Sequence, residues 1–294
     1  MVIVITGPTA VGKTKLSVEL AKKVNGEIIN ADSTQVYKDL NIATAKIKEE
    51  EKEGIKHHLF DIKDIEEDYS VYDYQKDCRE KINEILSEGK VPIIVGGTGF
   101  YIKSALYDYD FENYKRKDYS SLSLDELYNK VCMLDSSNKI HKNNRKRLEL
   151  ALSYMEDTNS KFSEKENNSK LIFNDVLFIG LNTDRDLLYD RINKRVDIMF
   201  DDGLLDEAKS LYDRNIRTKA VMTPIGYKEL FEYFDEKITL EDAKDKIKQN
   251  SRRYAKRQYT WNKHQFDITY FNVDFDNFNN TVNDVLKFIG NNYD

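Results

Sequence analysis

The chain has 294 residues, of which 33% are charged and 40% hydrophobic, and its formal net charge at pH 7 is −6. The length suits one large α/β domain or a core domain with a smaller inserted one. Apolar runs stay well short of the roughly 18 residues that span a membrane, and Cys78 and Cys132 lie too far apart for a C-x-x-C metal site. These features argue against a membrane-spanning chain, a disulfide framework and a zinc ribbon, and we expect a cytoplasmic protein.

The first predicted strand, residues 2–5, is followed by a sequence with the spacing of a phosphate-binding loop. GPTAVGKT fits G-x-x-x-x-G-K-T and leads into a helix-like stretch. Glycines let successive N–H groups turn toward an anion, and the positive end of the next helix adds to the attraction. Lys13 supplies a point charge and Thr14 a hydroxyl suited to Mg²⁺. The motif leaves open whether the ligand is a nucleotide such as ATP or GTP, or a simple diphosphate. The predicted phosphate-binding residues are Gly7, Pro8, Thr9, Ala10, Val11, Gly12, Lys13 and Thr14.

Four further strands are predicted, at residues 27–31, 91–95, 176–181 and 268–273. Short apolar strands that alternate with helical stretches indicate an α/β fold with a parallel sheet and helices on both faces. In such a sheet, ligands bind at the carboxyl ends of the strands. Three of those ends carry polar or glycine-rich sequence: the phosphate loop, Asp32 with Ser33, and a Gly-Gly-Thr-Gly turn at residues 96–99. We therefore expect these three segments to face one shared crevice.

The strand pattern lapses between about residues 109 and 172, where helical periodicity replaces it. Within this stretch, Ser123 is a predicted helix N-cap, with Glu126 three residues later. We predict a helical insertion domain at residues 109–172, which separates a first part of the core at residues 1–108 from a second part at residues 173–294.

Basic residues concentrate in a few clusters despite the negative net charge. The strongest spans residues 252–257, RRYAKR, where Arg253 and Arg257 are four apart and would share one face of a helix. A basic helical face with aromatic neighbours is typical of proteins that bind a polynucleotide backbone, although an ordinary solvated helix face has the same pattern. A second cluster, residues 142–147, lies in the predicted insertion.

Seven segments occur together in an order that resembles one family. They are GPTAVGKT, ADSTQVYKDLNIATAK, HHLFD, GGTGFYIKSAL, LLYDRINKRVDIMFDDGLLDEA, IGYKEL and RRYAKRQYTW. Together they resemble the tRNA dimethylallyltransferase family, also called tRNA isopentenyltransferase, from residue 2 to about residue 261. The resemblance implies a P-loop NTPase-like core that transfers a dimethylallyl group from dimethylallyl diphosphate to N6 of A37, the adenine that follows the anticodon, in tRNAs that read U-starting codons. It also implies Mg²⁺ as cofactor and the tRNA anticodon stem-loop as partner, and we expect a monomer.

The resemblance also assigns roles to single residues. Asp32 matches the general base of a D-S-x-Q-x-Y motif, which would take the proton of a weakly nucleophilic amine, and Thr98 matches a second catalytic residue near the adenine and the diphosphate. An aspartate here could instead only cap a turn, and the glycines beside Thr98 could serve only to allow positive φ. Gln35 matches a position that reads RNA. The residues expected to contact tRNA are Asp32, Ser33, Thr34, Gln35, Arg145, Arg147, Arg253 and Arg257.

Two other functions fit the sequence. A P-loop nucleotide kinase could use Arg185, Arg191 and Arg195 as a lid, but the strand that ends at Val95 continues into glycines and offers no aspartate for Mg²⁺. A tRNA-binding paralogue with weakened catalysis would fit the departures from the family pattern, which lie outside the chemical motifs. Those departures are Lys142, Asn144, Leu150, Ser153, Thr223, Pro224 and Asn262. The motif residues expected either to shape the crevice wall or to be structural are His57, His58 and Asp61.

Overall fold

The computed structural model describes residues 1–109, 111, 117–164 and 170–291. They form two compact units. The first comprises Met1–Leu106 and Leu171–Asp294, and the second comprises Tyr107–Lys170. Each unit has its own cluster of buried apolar side chains.

Six strands form the sheet of the first unit: β1 (Val2–Thr6), β2 (Gly26–Asn30), β3 (His57–His58), β4 (Val91–Val95), β5 (Val176–Asn182) and β6 (Thr269–Asn272). Their order is β3-β2-β4-β1-β5-β6, and every neighbouring pair is parallel. Ile3 of β1 pairs with Ile93 of β4 on one side and with Leu177 of β5 on the other. The predicted α/β fold with a parallel sheet is confirmed.

The described residues contain these α-helices, in chain order: α1 (Lys13–Val24), α2 (Val71–Ser87), α3 (Gly99–Leu106), α4 (Leu124–Leu134), α5 (Arg145–Thr158), α6 (Arg185–Asp201), α7 (Leu204–Asp213), α8 (Lys219–Met222), α9 (Tyr227–Phe234), α10 (Leu240–Gln265) and α11 (Phe278–Asn291). Strand β1 is buried along its whole length, because helices of a doubly covered parallel sheet remove both faces from water. Within the described residues, no helix combines the length and the apolarity that crossing a membrane requires.

The second unit is built around α4 and α5. Helix α4 begins with the predicted N-cap: the Ser123 side chain accepts a hydrogen bond from the N–H of Glu126, whose carboxylate bonds back to Ser123. This capping box satisfies two N–H groups that would otherwise lack partners. Leu127 of α4 and Leu148 and Leu152 of α5 are fully buried in one hydrophobic cluster, so this unit has a core of its own.

The observed strands differ from the predicted ones mainly at their ends. Strand β2 begins at Gly26 and ends at Asn30, one residue earlier than expected, although the N–H of Ala31 still donates to Val95. Strand β3 was not predicted, because two residues carry no periodicity. It adds His57 and His58 to the edge of the sheet beside β2.

Candidate active site

The phosphate loop connects β1 to α1 and owes its shape to three residues with positive φ. These are Gly7 at 145°, Ala10 at 64° and Gly12 at 103°. A Cβ on Gly7 would lie 2.7 Å from the carbonyl oxygen of Leu181, so only glycine fits there. Helix α1 begins at Lys13, directly after the loop. Its first N–H groups have no partner within the helix and are suited to bind an anion.

The ammonium group of Lys13 lies across this loop. Its Nζ donates to the carbonyl oxygens of Gly7 at 3.0 Å and of Pro8 at 2.8 Å. Burial, together with the positive charge of Arg195, lowers the pKa of Lys13 to about 7, and the negative charge of Asp32 acts in the opposite direction. An anionic ligand at the loop would favour the protonated form of this lysine.

Two arginines of α6 contact the same loop. Nε of Arg191 donates to the carbonyl oxygen of Ala10 at 3.1 Å, and its guanidinium lies 3.7 Å from the centre of the Phe275 ring. Nη1 of Arg195 donates to Oγ1 of Thr9 at 3.2 Å. Burial lowers the pKa of both arginines, yet a guanidinium stays protonated at neutral pH. With the lysine, three cationic side chains therefore surround the loop.

Asp32 lies in a tight turn at the end of β2. The Asn30 side chain holds this turn, because its Oδ1 accepts from the N–H of Asp32 at 2.9 Å and its Nδ2 donates to the Asp32 carbonyl at 3.1 Å. Oδ1 of Asp32 accepts from the N–H and the hydroxyl of Thr34, at 2.9 and 2.7 Å. Its Oδ2 accepts no hydrogen bond from the described residues. One carboxylate oxygen thus fixes the side chain, and the other is left to act on a ligand.

The turn after β4 is bonded directly to the turn after β2. Oγ1 of Thr98 accepts from the N–H of Ser33 at 3.0 Å and lies 3.3 Å from the Ser33 hydroxyl, while the N–H of Thr98 donates to Ala31 at 3.0 Å. A Cβ on Gly96 would lie 2.1 Å from the Ala31 carbonyl oxygen. Thr98 and Asp32 are therefore held in one hydrogen-bonded assembly.

The glycines of this second turn allow close packing and do not serve to allow positive φ. Gly96, Gly97 and Gly99 do not adopt positive φ, so that explanation is wrong. A Cβ on Gly97 would lie 2.0 Å from Nε2 of Gln258, and one on Gly99 would lie 2.2 Å from the Trp261 ring. The glycines are needed because the neighbouring strand and helix α10 approach the turn closely.

The three strand ends thus form one site with complementary chemistry. The charge of Asp32 acts on both Lys13 and Arg195, which places the carboxylate within electrostatic reach of the cations around the phosphate loop. A cationic loop with a helix N-terminus can bind a diphosphate, a fixed carboxylate can accept a proton, and the Thr98 hydroxyl can orient a ligand. This combination suits the transfer of a group away from a diphosphate.

Comparison with known proteins agrees with this chemistry. A family model described as IPP transferase matches residues 35–265. The chain is 49% identical, over 298 residues, to a tRNA dimethylallyltransferase of Anoxybacillus flavithermus, with 98% of this chain and 96% of the relative covered. It is 48% identical to a tRNA dimethylallyltransferase of Bacillus anthracis over 286 residues, with 92% and 90% covered. The chain belongs to the IPP transferase family.

Solved structures with this fold carry related names. A tRNA isopentenylpyrophosphate transferase of Bacillus halodurans matches with a TM-score of 0.76 and 42% identity, covering 99% of this chain and 95% of that one. A eukaryotic dimethylallyltransferase described as acting on tRNA matches with a TM-score of 0.88 and 34% identity, covering 99% and 79%. The predicted membership of the tRNA dimethylallyltransferase family and the predicted P-loop-like α/β core are confirmed.

Gln35, which the family pattern associates with RNA, is fixed to the segment that follows it. Its Nε2 donates to the carbonyl oxygen of Thr44 at 2.8 Å. This segment is itself held by Glu207 of α7, whose carboxylate accepts from the N–H groups of Asn41, Ile42 and Ala43. The Gln35 side chain is therefore held in place by contacts within the protein.

The HHLFD motif makes structural contacts. Nε2 of His58 lies 2.6 Å from Oε2 of Glu27, a buried carboxylate on β2. Asp61 forms an ion pair with Lys46. Nδ1 of His57 lies 2.8 Å from the carbonyl oxygen of Ile55, and burial lowers the pKa of this histidine. Of the two roles expected for these residues, these contacts favour the structural one.

The basic residues of α10 have different environments. Arg253 and Arg257 are exposed, as a surface that binds RNA requires. Arg252 instead donates to Oδ1 of Asn193 on α6, and so contributes to packing. The predicted basic face therefore consists of one exposed row, and the second row is partly used within the protein.

The two arginines predicted in the second unit also differ. Arg145 donates to Oε1 of Glu149 at 2.8 Å and to the carbonyl oxygens of Leu122 at 2.9 Å and Tyr119 at 2.7 Å. It therefore joins α5 to the segment before α4. Arg147 is exposed and is the better candidate for contact with RNA.

Sequence reasoning did not assign four residues that the structure brings to the site. Arg191 and Arg195 were considered only for a kinase lid, and Tyr254 and Gln258 of α10 were not assigned to the site at all. Each pair is spaced four residues apart on one helix, so each pair shares a helix face. That spacing was visible in the sequence, but the loop that the faces contact was not.

Proposed function

We propose that this chain transfers the dimethylallyl group of dimethylallyl diphosphate to N6 of A37 in tRNAs that read U-starting codons, and releases diphosphate. The observation that carries the proposal is the assembly of the phosphate loop, Asp32 and Thr98 at one edge of the sheet. Family membership supports the same reaction. The cations, the carboxylate and the hydroxyl of this assembly are the groups that such a transfer would use.

In the proposed reaction, N6 of the adenine attacks C1 of the dimethylallyl group. The bond between C1 and the diphosphate oxygen breaks, and the new N6–C1 bond forms. The lone pair of the amine is delocalised into the ring, so a base must remove a proton from N6 as the bond forms. Asp32 takes this proton at Oδ2, while Thr34 holds its Oδ1.

The leaving diphosphate gains negative charge as the bond breaks. Lys13, Arg191 and Arg195 surround the loop that would hold it, and the first N–H groups of α1 add a fixed positive potential. Such preorganised groups stabilise the developing charge without reorganising during the reaction. Within the loop itself, the N–H of Thr9 does not contribute, because it already donates to Oε1 of Gln258 at 2.9 Å.

Mg²⁺ is part of the proposal, with Thr14 as its protein ligand. The described residues contain no group of three His, Cys, Asp or Glu side chains able to hold a metal. A hydroxyl beside a phosphate loop nevertheless fits Mg²⁺, which usually takes most of its ligands from phosphate and water. When bound, the ion would neutralise part of the diphosphate charge.

The acceptor in this proposal is the anticodon stem-loop. A37 must leave its stack to reach Asp32, and sequence-specific recognition of RNA targets such single-stranded loops. Exposed Arg253 and Arg257 supply contacts to the phosphate backbone, and exposed Arg147 supplies one from the second unit. We propose that the protein acts in the cytoplasm, where tRNA is modified, and as a monomer.

The test is a single-turnover assay with purified protein, Mg²⁺, labelled dimethylallyl diphosphate and an unmodified tRNA that reads U-starting codons. Nucleoside analysis should find the label on N6 of A37 and an equal amount of released diphosphate. Absence of label in the RNA, with ATP-dependent phosphorylation of a nucleoside monophosphate instead, would favour the kinase alternative. Binding of both substrates without transfer would favour a weakened paralogue.

A further inference from the structure

Gln258 of α10 uses both ends of its side-chain amide to join two loops of the site. Oε1 accepts from the N–H of Thr9 in the phosphate loop at 2.9 Å, and Nε2 donates to the carbonyl oxygen of Gly97 in the turn after β4 at 3.2 Å. The residue is 6% exposed. The two loops follow different strands, and this amide bridges them.

The close approach of Gln258 constrains both loops. A Cβ at residue 97 would lie 2.0 Å from Nε2 of Gln258, so the glycine is required for the amide to reach the backbone. On the other side, Thr9 is held twice, by Gln258 at its N–H and by Arg195 at its hydroxyl. A buried amide with both groups satisfied holds its partners at fixed distance and orientation.

Tyr254 extends this bridge to the acceptor side of the site. Burial raises the pKa of its hydroxyl, and the nearby side chains of Gln258 and Thr98 act in the opposite direction. The guanidinium of Arg257 lies 5.7 Å from the centre of the Tyr254 ring. One helix therefore carries an exposed arginine of the proposed RNA surface, a tyrosine beside Thr98 and the amide that holds the phosphate loop.

We infer that Gln258 is a positioning residue that couples the donor loop to the acceptor turn, so that RNA binding and diphosphate binding strengthen each other. The inference rests on the proposed function. It follows because RNA bound at Arg257 and Thr98 would restrain the positions of α10 and of the turn after β4. The two hydrogen bonds of Gln258 would extend that restraint to Thr9. Coupling between two sites is reciprocal and is measured as a ratio of affinities.

The test measures the dissociation constant of an anticodon stem-loop RNA with and without saturating inorganic diphosphate. For the unaltered protein we expect the RNA to bind roughly five- to 150-fold more tightly when diphosphate is present. Gln258→Met fills similar space but makes neither hydrogen bond, and it should bring this ratio to within about twofold of one and lower kcat roughly tenfold or more.

Two further variants guard against a merely structural effect. Gln258→Glu can still accept from Thr9 but cannot donate to Gly97, so it should also lose the coupling; its added charge weakens diphosphate binding but cancels in the ratio. The matched control is Asn262→Leu, which removes another buried amide of α10, the one that donates to Thr6 of β1 at 2.8 Å. It should lower stability and leave the ratio unchanged.

The outcomes are distinct. A coupling ratio of one in the unaltered protein, or an unchanged ratio and kcat in folded Gln258→Met and Gln258→Glu, overturns the role of Gln258 and leaves the proposed function standing if the RNA is prenylated. If the unaltered protein does not prenylate the RNA, the proposed function fails and the inference fails with it. Should Gln258→Met not fold, Gln258→Glu decides.

Discussion

The two oxygens of the Asp32 carboxylate have different surroundings, and this difference can be tested by one substitution. Asp32→Asn keeps an oxygen for Thr34 but offers an amide that cannot accept the N6 proton. We expect kcat for prenyl transfer to fall by about 10²- to 10⁴-fold, with dissociation constants for diphosphate and stem-loop RNA within about threefold. Single-turnover rates and binding titrations provide the measurements. The control is Asp39→Asn, at an exposed position seven residues further along the chain. Transfer at the normal rate by Asp32→Asn would show that the carboxylate takes no part in the reaction.

The pKa of Lys13, about 7 in the free protein, predicts a pH dependence of diphosphate binding. Bound diphosphate raises this pKa, so binding takes up a proton when the pH is above 7, and affinity falls as pH rises. Lys13→Arg keeps its charge throughout, while titration of the ligand affects both proteins equally. Between pH 7 and pH 9 the affinity of the unaltered protein, relative to Lys13→Arg, should fall roughly tenfold or more. Calorimetry at several pH values measures it, and a constant ratio would contradict the prediction.

Among individual site residues, the sequence predicted the roles of those that belong to a continuous motif. Lys13 in G-x-x-x-x-G-K-T, and Asp32 and Thr98 at strand ends, could be placed because local spacing and the parallel sheet bring them together. Arg195 and Gln258 could not, since their roles depend on where distant helices pack. Arg145 was predicted to contact RNA, yet its guanidinium donates hydrogen bonds within its own unit. The charge of an arginine does not determine which of these partners it binds.

Among the elements, the packing of α10 on α3 depends on Gly99. A methyl group there would lie 2.2 Å from the indole of Trp261. Gly99→Ala should therefore displace α10 and lower the free energy of unfolding by about 1–3 kcal/mol. Gly290→Ala is the matched control, because nothing lies within 4 Å of a Cβ at that helical site, and it should be neutral or slightly stabilising. Urea unfolding compares the two, and equal midpoints would contradict the prediction.

The edge of the sheet between β2 and β3 is held by a buried carboxylate. Burial alone would raise the pKa of Glu27, but its contacts with Lys90 and His58 hold it below the usual value. A carboxyl group with a lowered folded-state pKa adds stability at neutral pH, and that stability is lost as the pH falls below about 4.3. Glu27→Gln should lower the free energy of unfolding at pH 7 by about 2 kcal/mol, and the difference should shrink in acid. Urea midpoints from pH 7 to pH 3 measure this.

The control for Glu27 is Glu67→Gln, which alters an exposed pair with Lys63 and should change little. A difference for Glu27→Gln that persists unchanged at low pH would show that the carboxylate charge is not the cause. The predictions of strands from sequence succeeded for every strand of four residues or more in the described part of the chain. They failed for β3, whose place is fixed by pairing with β2 and by Glu27, both of them nonlocal.

Across the whole molecule, the chain leaves the first unit after Leu106 and returns to it at Leu171, and these two points are adjacent in space. The N–H of Ile172 donates to the carbonyl oxygen of Leu106 at 2.9 Å. Replacing residues 107–170 with a short Gly-Ser linker should therefore leave the first unit folded, with its affinity for inorganic diphosphate within about threefold. Stem-loop RNA should bind roughly tenfold or more weakly, with a shallower salt dependence, because phosphate contacts are lost. Filter binding at several salt concentrations measures this, and RNA binding at full strength would contradict a role for the second unit.

The position of β1 within the sheet has a consequence for how the protein is made. Residues 2–6 leave the ribosome before both of their partner strands, because they pair with Ile93 and its neighbours on one side and with residues 176–180 on the other. At about 5–20 residues per second, the second partner follows after roughly ten seconds or more. During translation the nascent chain therefore carries an apolar strand without its neighbours. The phosphate loop can take its final form only after the residues of the second unit have been synthesised.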